Sequence, residues 1–141
     1  MPRTFFAAAA GDAIRSRRSG IKVDRLVLHS AEGTFTGTIA WFQTAGRSVP
    51  TATHYVVSRE GDIAQMVADD KKALHAGSKT EPHWNDRSIG IEHEARIDPW
   101  PVRKDAFGKV KPVPFPVNDW PEAMLEASAK VVAVLCKKFR I

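Results

Sequence analysis

The stretch "SIGIEHEA", residues 88–95, restricts the fold more than any other part of the chain. Side chains of a strand alternate between the two faces of a sheet. Ile89, Ile91 and His93 therefore share one face, and Gly90, Glu92 and Glu94 share the other. Such a strand needs apolar cover on its isoleucine side. On its other side it needs water, or a site that uses a carboxylate, because a carboxylate among apolar neighbours is costly unless paired or working. Gly90 favours the second option, since a glycine inside a strand often admits close approach of a ligand or another backbone. Plain solvation of Glu92 and Glu94 is the simpler reading of this strand taken alone.

A second stretch, "RLVLHSAEG", supplies a match. Leu26, Val27 and Leu28 read as a buried strand that ends on His29, with small and polar residues after it. Alternation puts Leu26 and Leu28 on one face and Val27 and His29 on the other, so His29 and Glu92 can share the open face of one sheet. An imidazole and a carboxylate across a groove suit zinc-assisted hydrolysis. The metal lowers the pKa of a bound water to about 7, and an unligated glutamate can take its proton. A core histidine with one good hydrogen bond explains His29 equally well at this point. His54, in "THYVV", fits the core or a place packed beside the site. His75, in "ALHAGS", has small neighbours that would let a ligand come close, and His83, in "EPHWND", reads as exposed. No HExxH, CxxC or GxSxG pattern is present.

Around these stretches the pattern implies a mixed sheet covered by helices. Residues 5–18 read as a first helix ended by Ser19-Gly20, and residues 22–30 as a strand. A helix in "TGTIAWFQTAG" stops at Gly46. "ATHYVVSREGDIAQMV" reads as a hairpin turning over residues 59–62, and "ALHAGSKTEPHWND" as a loop. Five prolines interrupt residues 96–118. The last helix opens on Asp119 with Glu122 three residues later, a capping-box pattern with Pro121 in the first turn. Leu125, Ser128, Val132, Leu135, Cys136 and Phe139 line its apolar face. The expected organisation is a single α/β domain over 1–141: an N-terminal helix and lead-in (1–21), a sheet core (22–95), a proline-rich loop (96–118) and a C-terminal helix (119–141).

Composition narrows the partners. The chain has 141 residues, 43% hydrophobic and 26% charged, the profile of an ordinary globular domain. No apolar run approaches the roughly 20 residues that span a bilayer, so no membrane partner is expected. "FFAAAA" is shorter than the apolar region of a typical signal peptide. The single cysteine rules out an intrachain disulfide. The net charge of +5 points to an anionic partner. Only "RSRR" is a tight basic cluster and no aromatics interleave with it, which argues against nucleic acid and leaves an acidic polymer such as cell wall.

The succession "LVLHSAEG", "THYVVSREGDIAQMV", "KKALHAG", "NDRSIGIEHEA" and the final helix resembles the type-2 N-acetylmuramoyl-L-alanine amidases, including phage endolysin domains and relatives of peptidoglycan recognition proteins. The resemblance spans residues 22–141. It implies a central mixed sheet flanked by helices, with zinc in a groove on one face. The implied chemistry is hydrolysis of the amide between the lactyl group of N-acetylmuramic acid and L-alanine of peptidoglycan. Carried over, His29 is the first zinc ligand and Glu92 the catalytic carboxylate. His75 is a groove histidine, with Leu74 in place of the usual tryptophan, and Asn85 lies near the substrate. Thr53 stands where some relatives place a catalytic tyrosine. The family's two other zinc ligands lie beyond the last helix, so a zinc site incomplete in this chain is expected, with a non-catalytic peptidoglycan-binding module as the alternative. The resemblance also implies endolysin-like action on the cell wall after cytoplasmic synthesis, or a place in the bacterial envelope. The sequence carries no indication of oligomeric state.

Overall fold

The computed structural model describes residues 1–17, 20–77, 83–95, 102–104, 110–112 and 120–141. In chain order the elements are β1 (Thr4–Phe6), a 3-10 turn (Gly11–Ala13), β2 (Ile14–Arg17), β3 (Arg25–Ser30), α1 (Phe35–Gln43), β4 (Tyr55–Val57), β5 (Ile63–Gln65), β6 (Lys71–Ala73), α2 (Trp84–Arg87), β7 (Ser88–His93), β8 (Val102–Lys104), β9 (Val110–Pro112) and α3 (Glu122–Phe139). Five strands form the central sheet in the order β1-β5-β4-β7-β3. Pairing is parallel for β1–β5, β4–β7 and β7–β3 and antiparallel for β4–β5, so the sheet is mixed, as expected. Two small antiparallel pairs, β2–β6 and β8–β9, lie outside it.

Strand alternation sorts the core into two layers. On one side Ile89, Ile91 and Val57 pack with Met124 and Leu135 of α3. On the other, Val56 and Ala64 pack with Phe35 and Phe42 of α1. Thr34 caps α1 by accepting the N–H of Gly37 at 3.2 Å. The helix ends at Gln43, earlier than the expected stop; Gly46 instead takes a left-handed φ of +74° and donates its N–H to Asp12 at 2.8 Å.

Several expectations need correction. The N-terminal segment is not a helix. "FFAAAA" lacks helical polar periodicity, and Thr4–Phe6 are good strand formers that pair with β5. Arg3 clamps this pairing, since its N–H and guanidinium both donate to Asp62, at 2.7 and 2.9 Å. The sheet core therefore begins well before residue 22. β3 is an edge strand rather than a buried one, and Leu28 on it is 52% exposed. The expected loop after Leu74 contains α2, and β6 immediately precedes it. Within the proline-rich 96–118 stretch, β8 and β9 pair in regular register; the rest of that stretch lies outside the described residues. Asp119, the expected cap of the last helix, is also outside them; the N-cap position belongs to Pro121, with no side-chain cap. On α3, Ser128 and Leu135 are buried and Val132 and Phe139 pack against the core, as expected; two positions differ. Met124 is buried where Leu125 was expected, Leu125 is exposed, and Cys136 is only partly covered.

The β4–β5 turn is where the hairpin meets α3. Ser58 Oγ accepts the N–H groups of Glu60 and Asp62, at 3.2 and 2.9 Å. Gly61 sits at φ +88°, and a Cβ there would stand 2.9 Å from the Ala123 carbonyl oxygen. Two independent reasons thus exclude a side chain. Gly61→Ala is expected to destabilise the fold by about 2 kcal/mol. Thermal unfolding followed by circular dichroism checks it, with Gly77→Ala, at a site with open space around it, expected to be near neutral.

Candidate active site

The parallel register of β3 and β7 sets His29 directly beside Glu92, and β4 sets Val56 on the other side of Glu92. Glu92 leaves the sheet on the α1 side. There it lines a groove of about 440 Å³ together with Ser30, Glu32, Thr38, Trp41 and His75.

His75 reaches this groove from the loop after β6. Asn85 holds that loop. Its side-chain oxygen accepts the backbone N–H groups of His75 and Ala76, at 3.0 and 2.8 Å. Asn85 is itself buried at the start of α2, where His83 Nδ1 accepts its N–H at 3.2 Å. The structure therefore places Asn85 behind His75, outside the groove lining. The His75 ring lies against Gly90, where a Cβ would stand 2.5 Å from its Cγ. The close approach that a strand glycine allows is here made by an imidazole. His75 Nδ1 is 2.9 Å from His29 Nε2, and its Nε2 is 3.0 Å from Ser88 Oγ.

The other histidines serve the core. His54 is fully buried; its Nδ1 accepts the Gly90 N–H and its Nε2 donates to the Lys71 carbonyl, both at 3.1 Å. His93 donates from Nδ1 to the His29 carbonyl at 3.0 Å and accepts at Nε2 from Ser128 at 2.8 Å. It also stacks on Trp120, with ring centroids 4.5 Å apart. His83, expected to be exposed, is half-buried as the N-cap of α2.

Glu92 has the most perturbed environment in the groove. Its buried Oε2 has no hydrogen-bond partner among the described residues, and neither has Ser30 Oγ. Burial, and secondarily the nearby Glu32 carboxylate, pushes Glu92 up to about 7. Glu32 adopts a left-handed φ of +53°, a conformation non-glycine residues rarely take. Burial, and secondarily the charge of His93, holds His29 below the ordinary imidazole range.

The zinc expectation can be tested on the donor set. A catalytic zinc takes three protein ligands. His29 Nε2 faces His75 Nδ1 at hydrogen-bond distance. Among the described residues no group of three or more His, Cys, Asp or Glu converges to hold a metal. All five histidines and the one cysteine belong to the described residues. The donors these residues supply do not fit a zinc centre.

The N-acetylmuramoyl-L-alanine amidase family model, Amidase_2, matches residues 19–141. The chain belongs to this family. It is 31% identical over 114 residues to N-acetylmuramoyl-L-alanine amidase A of Achromobacter lyticus, covering 80% of this chain and 51% of that protein. The chain thus spans about half the length of that curated relative. Among solved structures it resembles a selenomethionine derivative of AmpD, with a TM-score of 0.64 and 21% identity over 99% of this chain and 77% of the other. It also resembles E. coli AmiD in complex with the substrate anhydro-N-acetylmuramic acid-L-Ala-D-gamma-Glu-L-Lys. That match has a TM-score of 0.60 and 23% identity, and covers 92% of this chain and 54% of AmiD. A mutant endolysin from Bacillus subtilis matches at a TM-score of 0.61 and 16% identity, over 100% and 79%. At these identities the structural likeness establishes the fold.

The candidate groove contains residues that sequence reasoning passed over: Ser30, Glu32, Trp41 and, behind His75, Ser88. Ser30 and Glu32 follow His29 by one and three positions, so adjacency was an available signal. Trp41 looked like one of the apolar residues of α1, and only its 59% exposure sets it apart.

The raised Glu92 predicts a pH effect on stability. The folded state keeps a proton that the unfolded chain releases, so stability falls as pH rises from about 4.5 through about 7. Glu92→Gln is expected to flatten that slope and to gain on the order of 2 kcal/mol above neutrality. Urea unfolding of both proteins between pH 5 and pH 8 reads the effect (roughly the window the two pKa values bracket).

Proposed function

We propose that the chain binds peptidoglycan in the groove between α1 and the β3–β7 face and hydrolyses the amide between the lactyl group of N-acetylmuramic acid and L-alanine. Family membership supports the bond class. The observation that carries the catalytic reading is Glu92, a groove carboxylate with an unpartnered Oε2 and a pKa raised to about 7. Such a group can take a proton from water as the water oxygen attacks the amide carbon, then deliver it to the departing alanine nitrogen. The products are a lactyl carboxylate and a free amine.

Trp41 offers a wall for substrate. It is largely exposed on the groove, and the Arg47 guanidinium lies 4.4 Å from its ring. Arg47 is pinned by donating to the Thr44 and Thr51 carbonyls, at 3.1 and 2.8 Å. A pre-set indole suits the apolar face of a sugar ring, and the net charge of +5 suits an anionic wall polymer. Among the described residues no helix is long and apolar enough to cross a membrane. Endolysin-like action on the wall after release is part of this proposal.

A second reading, peptidoglycan binding without catalysis, is favoured by the shortfall of metal donors. Incubation with purified muropeptide, with and without zinc, separates the two. Release of new L-alanine amino termini, lowered by about 10²–10⁴-fold in Glu92→Gln, supports the amidase. No release, with wall pull-down that persists in Glu92→Gln and in chelator, supports the binding module. Trp41→Ala is expected to weaken pull-down under either reading. Elemental analysis of the purified chain is expected to find well under one zinc per chain; a full equivalent would mean that ligands beyond His29 exist.

A further inference from the structure

Ser88 opens β7 and is fully buried, away from the groove surface. It is nevertheless tied to the groove through His75. Its Oγ lies 2.6 Å from the Trp84 carbonyl oxygen and 3.0 Å from His75 Nε2. A hydroxyl has one hydrogen, and a carbonyl oxygen can only accept. The Ser88 hydrogen therefore goes to Trp84, and toward His75 the same oxygen is an acceptor. That arrangement requires the hydrogen of His75 to sit on Nε2. A neutral imidazole carries one ring hydrogen, which leaves Nδ1 with a lone pair. His29 Nε2, 2.9 Å away, then brings the hydrogen to the bond between the two rings. The bonds run in one direction, from His29 through His75 and Ser88 to the Trp84 carbonyl.

We propose that Ser88 is a positioning residue: it holds His75 in the Nε2–H tautomer and thereby presents an accepting Nδ1 to His29 at the edge of the groove. The catalytic value of this arrangement rests on the amidase reading; the tautomer itself does not. Asn85 and Gly90 do different work. Asn85 fixes the backbone of the His75 loop, and Gly90 makes room for the ring. Neither one selects the nitrogen that bears the hydrogen. Without the Ser88 hydroxyl, the His75 Nε2–H loses this acceptor, and moving the hydrogen to Nδ1 relieves that cost. The hydrogen-bond order between His75 and His29 would then have to reverse.

Long-range proton–nitrogen correlation spectra of the ¹⁵N-labelled full chain, recorded near pH 8 to keep the imidazoles neutral (ordinary pKa about 6.5), test this directly. In the wild type, His75 Nε2 is expected in the protonated range and Nδ1 in the unprotonated range. Ser88→Ala is expected to move the two resonances toward each other, and Ser88→Thr, which keeps a hydroxyl, to restore them. With muropeptide as substrate, Ser88→Ala is expected to lower kcat by about 10–100-fold with KM unchanged, and Ser88→Thr to recover it. A wild-type His75 protonated on Nδ1 would overturn the proposal, as would a Ser88→Ala spectrum identical to wild type. The wild-type spectrum needs neither a variant nor turnover. Failure of the amidase reading therefore appears as absent product with the tautomer intact, whereas failure of this proposal appears in the spectrum alone.

Discussion

Parallel pairing of β3 with β7 sets Val27 opposite Gly90 and His29 opposite Glu92. The placement of His29 beside Glu92 depends on that register. A slip of one residue would turn His29 toward α3 and set an isoleucine against the groove. The register is held from both faces. Ile89 and Ile91 are locked under α3, while Gly90 leaves a gap on its other face that the His75 ring and the Thr53 hydroxyl fill. At the start of the ladder, Asp24 joins Arg87 and Arg25, and these pairings hold its carboxyl well below the usual carboxylate range. The pairing is partly exposed, so its value lies in alignment more than in stability.

Three histidines lie on or beside the strand that carries Glu92: His54 and His93 are fully buried, and His75 is half-buried against Gly90. His54, His75 and His93 each find partners at both ring nitrogens. A buried imidazole with both nitrogens matched costs little, and its hydrogen has a defined place. The groove lining differs. Among the described residues Glu92 Oε2 and Ser30 Oγ are buried without partners, and the fully buried Thr53 has an unpartnered hydroxyl near Gly90. Ser30 and Glu92, two residues with unsatisfied atoms, thus line the groove beside well-partnered rings. Unsatisfied buried polar atoms of this kind are a stability cost that a bound partner can repay.

Much of this was legible in the residues because strand alternation is a local rule. Ile89, Glu92 and His93 were assigned to the correct faces from eight letters. The same rule failed to make β3 an edge strand, since edge position depends on where other strands stop. Alanine-rich residues 5–10 suggested helix by propensity, and pairing with β5, supported by the Arg3–Asp62 contact, overrode it. The exchange of Met124 for Leu125 on α3 has a compositional cause: "EAMLEASAKVVAVLCKKF" offers neighbouring apolar residues at its start, and only the sheet beneath decides which of them is buried. Ser88 was out of reach for a different reason. Nothing in its neighbourhood reports that a ring thirteen positions earlier stands against it.

β3 has a further property that follows from its place in the sheet. Among the described residues it pairs only with β7, and Leu28 stands half in water on the same strand. An open strand edge is a surface on which any extended segment can nucleate. The six residues that present His29 thus also form one of the two outer edges of this sheet, where strand exchange and self-association can start. Chemistry at the groove and colloidal behaviour in solution meet on one short segment, and a change made there for either purpose will be felt in the other.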